Sequence, residues 1–162
     1  KFKQPILMEY VKNGGNIIVQ YNTAGRNDSR LDNLAPYPLT LSSDRVTDEN
    51  SPVKILDPKN SLVNFPNKIT QKDFEGWVQE RGLYFPNTWA KEFTPVFSME
   101  DQDESPKKGS LLIAPYGKGH YIYTGLSFFR ELPAGVPGAY RIFANMLSAG
   151  KEKLEQQVNF KG

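Results

Sequence analysis

Charged side chains gather at three places in this sequence where they could do chemistry. Asp44-Arg45-Val46-Thr47-Asp48-Glu49 sets three carboxylates around Arg45. Paired carboxylates serve general acid/base work or hold a hard cation, and the same run also reads as a salt-bridged loop. Phe74-Glu75-Gly76-Trp77-Val78-Gln79-Glu80-Arg81-Gly82-Leu83-Tyr84-Phe85 places aromatics that could line a groove beside Glu80 and Arg81. The alternative is a core stripe, with Arg81 satisfying carbonyls at a helix C-terminus. Ser127 to Gly138 joins a strand end to a helix start, where ligands gather in open α/β sheets. Arg130 is the anion-binding group there, although a rigid Pro/Gly connection explains the stretch as well.

Other motifs exclude more than they offer. Asp101-Gln102-Asp103-Glu104 alternates carboxylates but lacks the central glycine and closing glutamate of a calcium loop, so it reads as a solvated turn. Gly117-Lys118-Gly119 is too short for a phosphate loop and precedes a strand, so it is a hairpin turn. His120 is the single histidine and has no second imidazole with which to share a metal. With zero cysteines there is no disulfide, zinc-thiolate site or cysteine nucleophile. No metal or cofactor is therefore expected. The charge is +2, from 20 basic and 18 acidic residues, with no basic block longer than Lys107-Lys108. A nucleic-acid partner normally requires a clustered basic face, so that class is set aside.

The elements that must position these groups follow from periodicity and turn chemistry. Pro5 to Asn13 predicts a short helix with Ile6, Leu7 and Tyr10 on its buried face and Gly14-Gly15 as its stop. Asn16 to Asn22 has the continuous apolar centre of a strand buried on both faces, as in parallel sheets. Residues 23–52 read as loop with a short strand at Leu39-Thr40-Leu41, and Val53 to Leu56 as another strand. Turns follow at Asp57 to Asn60 and Asn64 to Asn67. Thr70 to Asp73 resembles a capping box and predicts a helix that buries Phe74, Trp77 and Val78 and ends at Gly82. After a further loop, Phe93 to Ser98 is an edge strand because of Pro95. Ser110 to Tyr116 and His120 to Thr124 form a hairpin. A last helix runs from Ala139 to Ala149, with Tyr140, Phe143, Ala144 and Leu147 inward.

The 162 residues fit one domain over 1–150 with a polar tail over 151–162. A composition of 38% hydrophobic, 12% aromatic and 23% charged residues is that of a globular chain. No apolar run approaches the roughly 20 residues of a membrane span. The start at Lys1-Phe2-Lys3, and a helix and strand without a preceding strand, lead to the expectation of a piece truncated at its N-terminus.

Several stretches also carry a family resemblance. These are Gly14 to Asn22, Arg45 to Glu49, Trp77 to Gly82 and, most specifically, Tyr123-Thr124-Gly125-Leu126-Ser127-Phe128-Phe129-Arg130-Glu131-Leu132-Pro133-Ala134-Gly135-Val136-Pro137-Gly138-Ala139-Tyr140-Arg141. From Ile6 to Ser148 the chain resembles the C-terminal domain of large bacterial PIG-L/LmbE-family proteins of the Bacteroidetes type. That region is similar to class I glutamine amidotransferase-like and ThuA-like domains. The resemblance implies a three-layer, flavodoxin-like α/β fold with a mixed sheet flanked by helices. It also implies an N-terminal deacetylase-like domain as partner and a periplasmic or secreted parent. The zinc motif of that deacetylase chemistry, of the Ala-His-Pro-Asp-Asp type, has no match here, so its hydrolysis of N-acetylated sugars transfers to no residue of this chain. Amidotransferases place a cysteine on the turn after a central strand and a His-x-Glu pair later. Here the strand runs into Gln20-Tyr21-Asn22, and His120 is followed by Tyr121-Ile122. Without nucleophile or base the thiol relay is lost, while main-chain donors at Tyr21 and Asn22 remain for a ligand.

Three readings follow. The chain is a noncatalytic accessory domain of a multidomain PIG-L/LmbE-like hydrolase that binds carbohydrate or docks on the catalytic domain. Alternatively it is an enzyme of unknown hydrolytic reaction using a carboxylate/arginine cleft near Asn22, or a purely structural domain. The binding candidates are Tyr21, Asn22, Arg45, Glu49, Glu80, Arg81 and Arg130, and no catalytic residue is assigned. Convergence of these groups on one cleft favours a site; dispersal into local bonds favours structure.

Overall fold

A computed structural model describes residues 4–20 and 35–152. Tyr21 and Asn22, the first part of the loop expected over 23–52, and the tail beyond residue 152 lie outside the described residues. Helix α1 (Gln4–Lys12) and strand β1 (Asn16–Gln20) come first, joined by Gly14 at φ 115°. Strands β2 (Leu39–Val46) and β3 (Val53–Ile55) follow. Two short 3-10 turns, Ser61–Val63 and Gln71–Phe74, precede β4 (Gly82–Trp89), β5 (Thr94–Pro95) and β6 (Phe97–Met99). The chain then forms β7 (Leu111–Tyr116), β8 (Gly119–Thr124), α2 (Phe128–Glu131) and α3 (Pro137–Leu147).

The main sheet is mixed, in the order β1-β8-β7-β5, with β1 parallel to β8 and the other pairs antiparallel. Two ribbons, β2 with β4 and β3 with β6, accompany it. Strand alternation divides the core between the two faces of the sheet. Leu111, Ile113 and Ile122 face a cluster closed by Ile142 and Met146 of α3. Leu112, Ala114, Tyr121 and Tyr123 face the other way, against Leu39, Phe93 and Met8 of α1. With both faces covered, β7 and β8 are apolar almost throughout, as sheets flanked by helices require. The molecule is thus an α/β fold whose mixed sheet carries helices on both faces.

Several expectations need correction. Helix α1 turns Met8 and Val11 inward, while Ile6 (69% exposed), Leu7 (39%) and Tyr10 (56%) point outward. Strand β1 is only half-buried because it is hydrogen-bonded on one side alone among the described residues. The helix expected over Thr70 to Gly82 is one 3-10 turn. The capping bond forms, Thr70 N–H to Asp73 Oδ2 at 2.8 Å, but Gly76 and Gln79 adopt φ of 71° and 68°, and Gly82 opens a strand. That strand, β4, was expected as loop, and its bulged pairing blurs the two-residue alternation. Its partner β2 extends well past Leu41 for the same reason. The single strand expected at Phe93 to Ser98 is split, β5 joining the main sheet and β6 pairing with β3. Helix α3 buries Ala139, Ile142, Asn145 and Met146, whereas Tyr140 and Leu147 face outward.

Candidate functional site

The loop after β8 brings most of the charged candidates together. Arg81 and Gly82 run alongside it: Ser127 N–H donates to Arg81 O at 3.0 Å and Leu83 N–H to Gly125 O at 2.9 Å. A Cβ on Gly82 would overlap the Gly125 carbonyl, and one on Gly125 would press on Phe85, so both positions need glycine. This seam holds Arg81 in the interior at 3% exposure. Its guanidinium donates from Nε and Nη2 to Ser51 O (3.1 and 2.8 Å) and from Nη1 to Phe74 O (2.5 Å). The Phe74 and Trp77 rings lie 5.6 and 5.5 Å from its central carbon, within cation–π range. Burial lowers the Arg81 pKa to about 10, opposed by the charges of Asp48, Glu131 and Glu49. The cation is held inside by carbonyl dipoles and ring faces, in an environment where an unpaired charge would be costly.

Glu80 and Arg130 form an ion pair, Nε to Oε1 at 2.8 Å, with Arg130 over the Phe129 ring. The next residue, Glu131, is fully buried. Its Oε2 accepts from Val78 N–H at 2.9 Å, while Oε1 and the nearby Ser127 Oγ find no hydrogen-bond partner among the described residues. Burial raises the Glu131 pKa, against the Val78 N–H bond and the Arg81 charge.

The remaining candidates serve other local structures. Arg45 is exposed and lines an open groove of about 600 Å³ with Asp44, Glu104 and Lys107, where Lys107 pairs with Glu104 at 3.4 Å. Glu49 sits half-buried in the turn after β2. That turn is tied down by Asp101, whose carboxylate accepts from Thr47 N–H, Asp48 N–H and the Thr47 hydroxyl at 2.8–3.0 Å. Partial burial works against the Asp101 charge, yet these donors and Arg45 outweigh it and lower its pKa. His120 lies 3.3 Å from Asn16 Oδ1 at the N-terminal ends of β1 and β8, away from the loop that follows β8.

The structure therefore gathers Glu80, Arg81 and Arg130, leaves Arg45 in a separate groove, and sets Glu49 near Arg81 only through its field. Residues that sequence reasoning missed include Arg141 and Asn145, and it gave Asp73 a capping role alone. Arg141 Nε meets Asp73 Oδ1 at 2.7 Å, and buried Asn145 donates to Leu62 O and Asn67 O at 2.9 and 2.8 Å. A polar side chain on the buried face of an otherwise apolar helix is the signal that could have exposed Asn145. Among the described residues no group of three or more histidine or acidic side chains is placed to hold a metal, and no helix is long and apolar enough to cross a membrane.

No protein-family model and no curated protein matches the sequence. The fold is similar to a solved structure described as cytoplasmic protein STM3548 from Salmonella typhimurium, with a TM-score of 0.56 and 15% identity. That match covers 90% of this chain and 58% of the Salmonella chain.

Proposed function

We propose that this chain is a noncatalytic accessory module of a PIG-L/LmbE-like, N-acetyl sugar deacetylase-type hydrolase, that it docks against the catalytic domain, and that its layers follow the flavodoxin-like amidotransferase plan. The observation behind this reading is the use of Arg81: its guanidinium is buried and bonded to Ser51 O and Phe74 O instead of facing a cleft. Glu80 and Arg130 are likewise taken up by pairing with each other, while Arg45 stands exposed in a separate groove and Glu49 lies half-buried in the turn after β2. Such groups hold loops in place; a catalytic acid or base needs a reachable proton and a nearby substrate atom. The competing hydrolase reading would rest on the Glu80–Arg130 pair beside the end of β8.

The decisive experiment assays zinc-dependent deacetylation of N-acetylated sugars by the catalytic domain alone, by this chain alone, and by the two together. This chain alone is expected to give no turnover, and its presence to change the catalytic domain's KM or thermal stability. Turnover by this chain alone that disappears in Glu80→Gln would replace the accessory reading with the hydrolase one. A thermal-shift screen of the same sugars separates carbohydrate binding from docking.

A further inference from the structure

We propose that the buried Glu131 carboxyl and the Ser127 hydroxyl share a proton and form a pH-sensitive latch between α2 and the segment 75–81, closed while Glu131 is neutral and loosened when it ionises. Both side chains lie at 0% exposure. Ser127 precedes α2 without making a capping bond through its hydroxyl, and Glu131 N–H donates to Ser127 O at 3.0 Å, closing one turn between them. Residues four apart share a helix face. Glu131 Oε2 accepts from Val78 N–H at 2.9 Å, whereas Oε1 and Ser127 Oγ have no partner among the described residues. A proton on Oε1, donated to Oγ, satisfies both atoms at once. A carboxylate, by contrast, only accepts and offers about four lone-pair sites, and here one N–H serves it.

The cations nearby are directed elsewhere. Arg130 pairs with Glu80 at 2.8 Å, and Arg81 points its donors at the carbonyls of Ser51 and Phe74. The charges acting on Glu131 are Glu80 and Arg81 from the segment 75–81 and Arg130 from α2 itself. The two arginines favour its ionised form and Glu80 opposes it, but burial is the largest influence and disfavours the charge. Asp48 and Glu49, from the turn after β2, act on Arg81, and Arg141 of α3 is turned onto Asp73. Val78, held by Glu131, precedes Gln79 at φ 68°, a conformation that surrounding contacts must maintain. An ionised Glu131 reaches water only by opening this seam, so opening becomes easier as pH rises. An acid whose folded pKa is raised supports the fold fully below its unfolded value, near 4, and loses that support as pH climbs to the folded value.

Carbon-13 NMR of the side-chain carboxyls in the 162-residue chain follows Glu131 directly, with its resonance assigned through bonds to its own backbone. Glu131 is expected to titrate above the ordinary glutamate range, and Ser127→Ala to move its midpoint down, because the neutral acid loses its acceptor. Titration within or below the ordinary range overturns the latch. A midpoint unmoved or raised by Ser127→Ala overturns the shared proton, since a hydroxyl that donates to a carboxylate favours the ionised form. Urea unfolding then compares the unsubstituted protein with Glu131→Gln, whose amide copies the neutral acid in shape and bonding. From pH 4 to 8 the unsubstituted protein should fall behind, its folded-to-unfolded ratio relative to the variant dropping up to about ten-fold per pH unit between the two pKa values. Hydrogen exchange across residues 78–81, normalised to the variant, should quicken over the same range. A gap that is constant with pH, or a variant that becomes the less stable protein as pH rises, overturns the latch. The NMR titration decides the matter even if Glu131→Gln does not fold.

Discussion

Arg81 shows how a charged side chain that resembles a binding group can be structural. Its hydrogen bonds end on the carbonyls of Ser51 and Phe74, and its flat face lies near two aromatic rings. Replacing a buried ion pair by apolar groups can be neutral when both partners change. Here the partners are backbone carbonyls, which no substitution can remove. Arg81→Met keeps much of the packing volume but leaves Ser51 O and Phe74 O without these donors, at an expected loss of about 2–4 kcal/mol in urea unfolding. Arg81→Lys should lose less, because one ammonium can reach one carbonyl but cannot reproduce the fork. Unaltered stability of Arg81→Met would show that these bonds carry no net weight. The sequence exposed Arg81 as unusual because it stands in an aromatic-rich stretch. It could not reveal the role, because Ser51 lies thirty residues away and meets Arg81 only through the fold.

The elements divide by how cleanly their local signals agree. The β7–β8 hairpin and its Gly117-Lys118 turn were legible because apolar runs and a glycine turn coincide. The α1 stop was legible from Gly14-Gly15, now seen at φ 115° for Gly14. Phe143 packs inward on α3 as expected, but the rest of the inward faces of α1 and α3 differ because both helices carry apolar residues on more than one side, and tertiary packing chose Met8 over Ile6 and Ile142 over Tyr140. The segment 75–81 was misread as helix because the capping pattern at Thr70 and Asp73 is real but stops after one turn. The run Asp44 to Glu49 was legible as a charged loop after a strand, but not its anchor, Asp101. Because the folded-state pKa of Asp101 is lowered, its ionised form adds stability above the unfolded value near 4. That contribution is lost as pH falls through the lower folded value. Asp101→Asn is therefore expected to cost about 1–2 kcal/mol at pH 7, reflecting weakened charge-assisted bonds. The gap to the parent protein should close in strong acid, measured as urea midpoints from pH 7 down to about 2. A gap that stays constant with pH would mean the turn is held by shape alone.

For the molecule as a whole, stability should be graded across the main sheet. Strands β7 and β8 have bonded neighbours on both sides and helices or loops over both faces, whereas β1 is half-buried with one bonded neighbour among the described residues. Exchange protection follows buried contact and the number of bonds that must open together, so β8 amides should open only with global unfolding and β1 amides through a smaller, cheaper event. The same gradient applies to side chains on the α3 face of the sheet. Ile122 is fully buried in the centre of β8, and Ile18, opposite it in register, packs on the same core while only partly buried. Ile122→Ala should cost about 3–4 kcal/mol, a transfer loss plus a cavity that cannot collapse between two covered layers. Ile18→Ala should cost about 1–2 kcal/mol, since less apolar surface leaves water there. Urea unfolding of the two variants in the 162-residue chain measures the difference, and equal losses would mean that β1 is as deeply covered as β8.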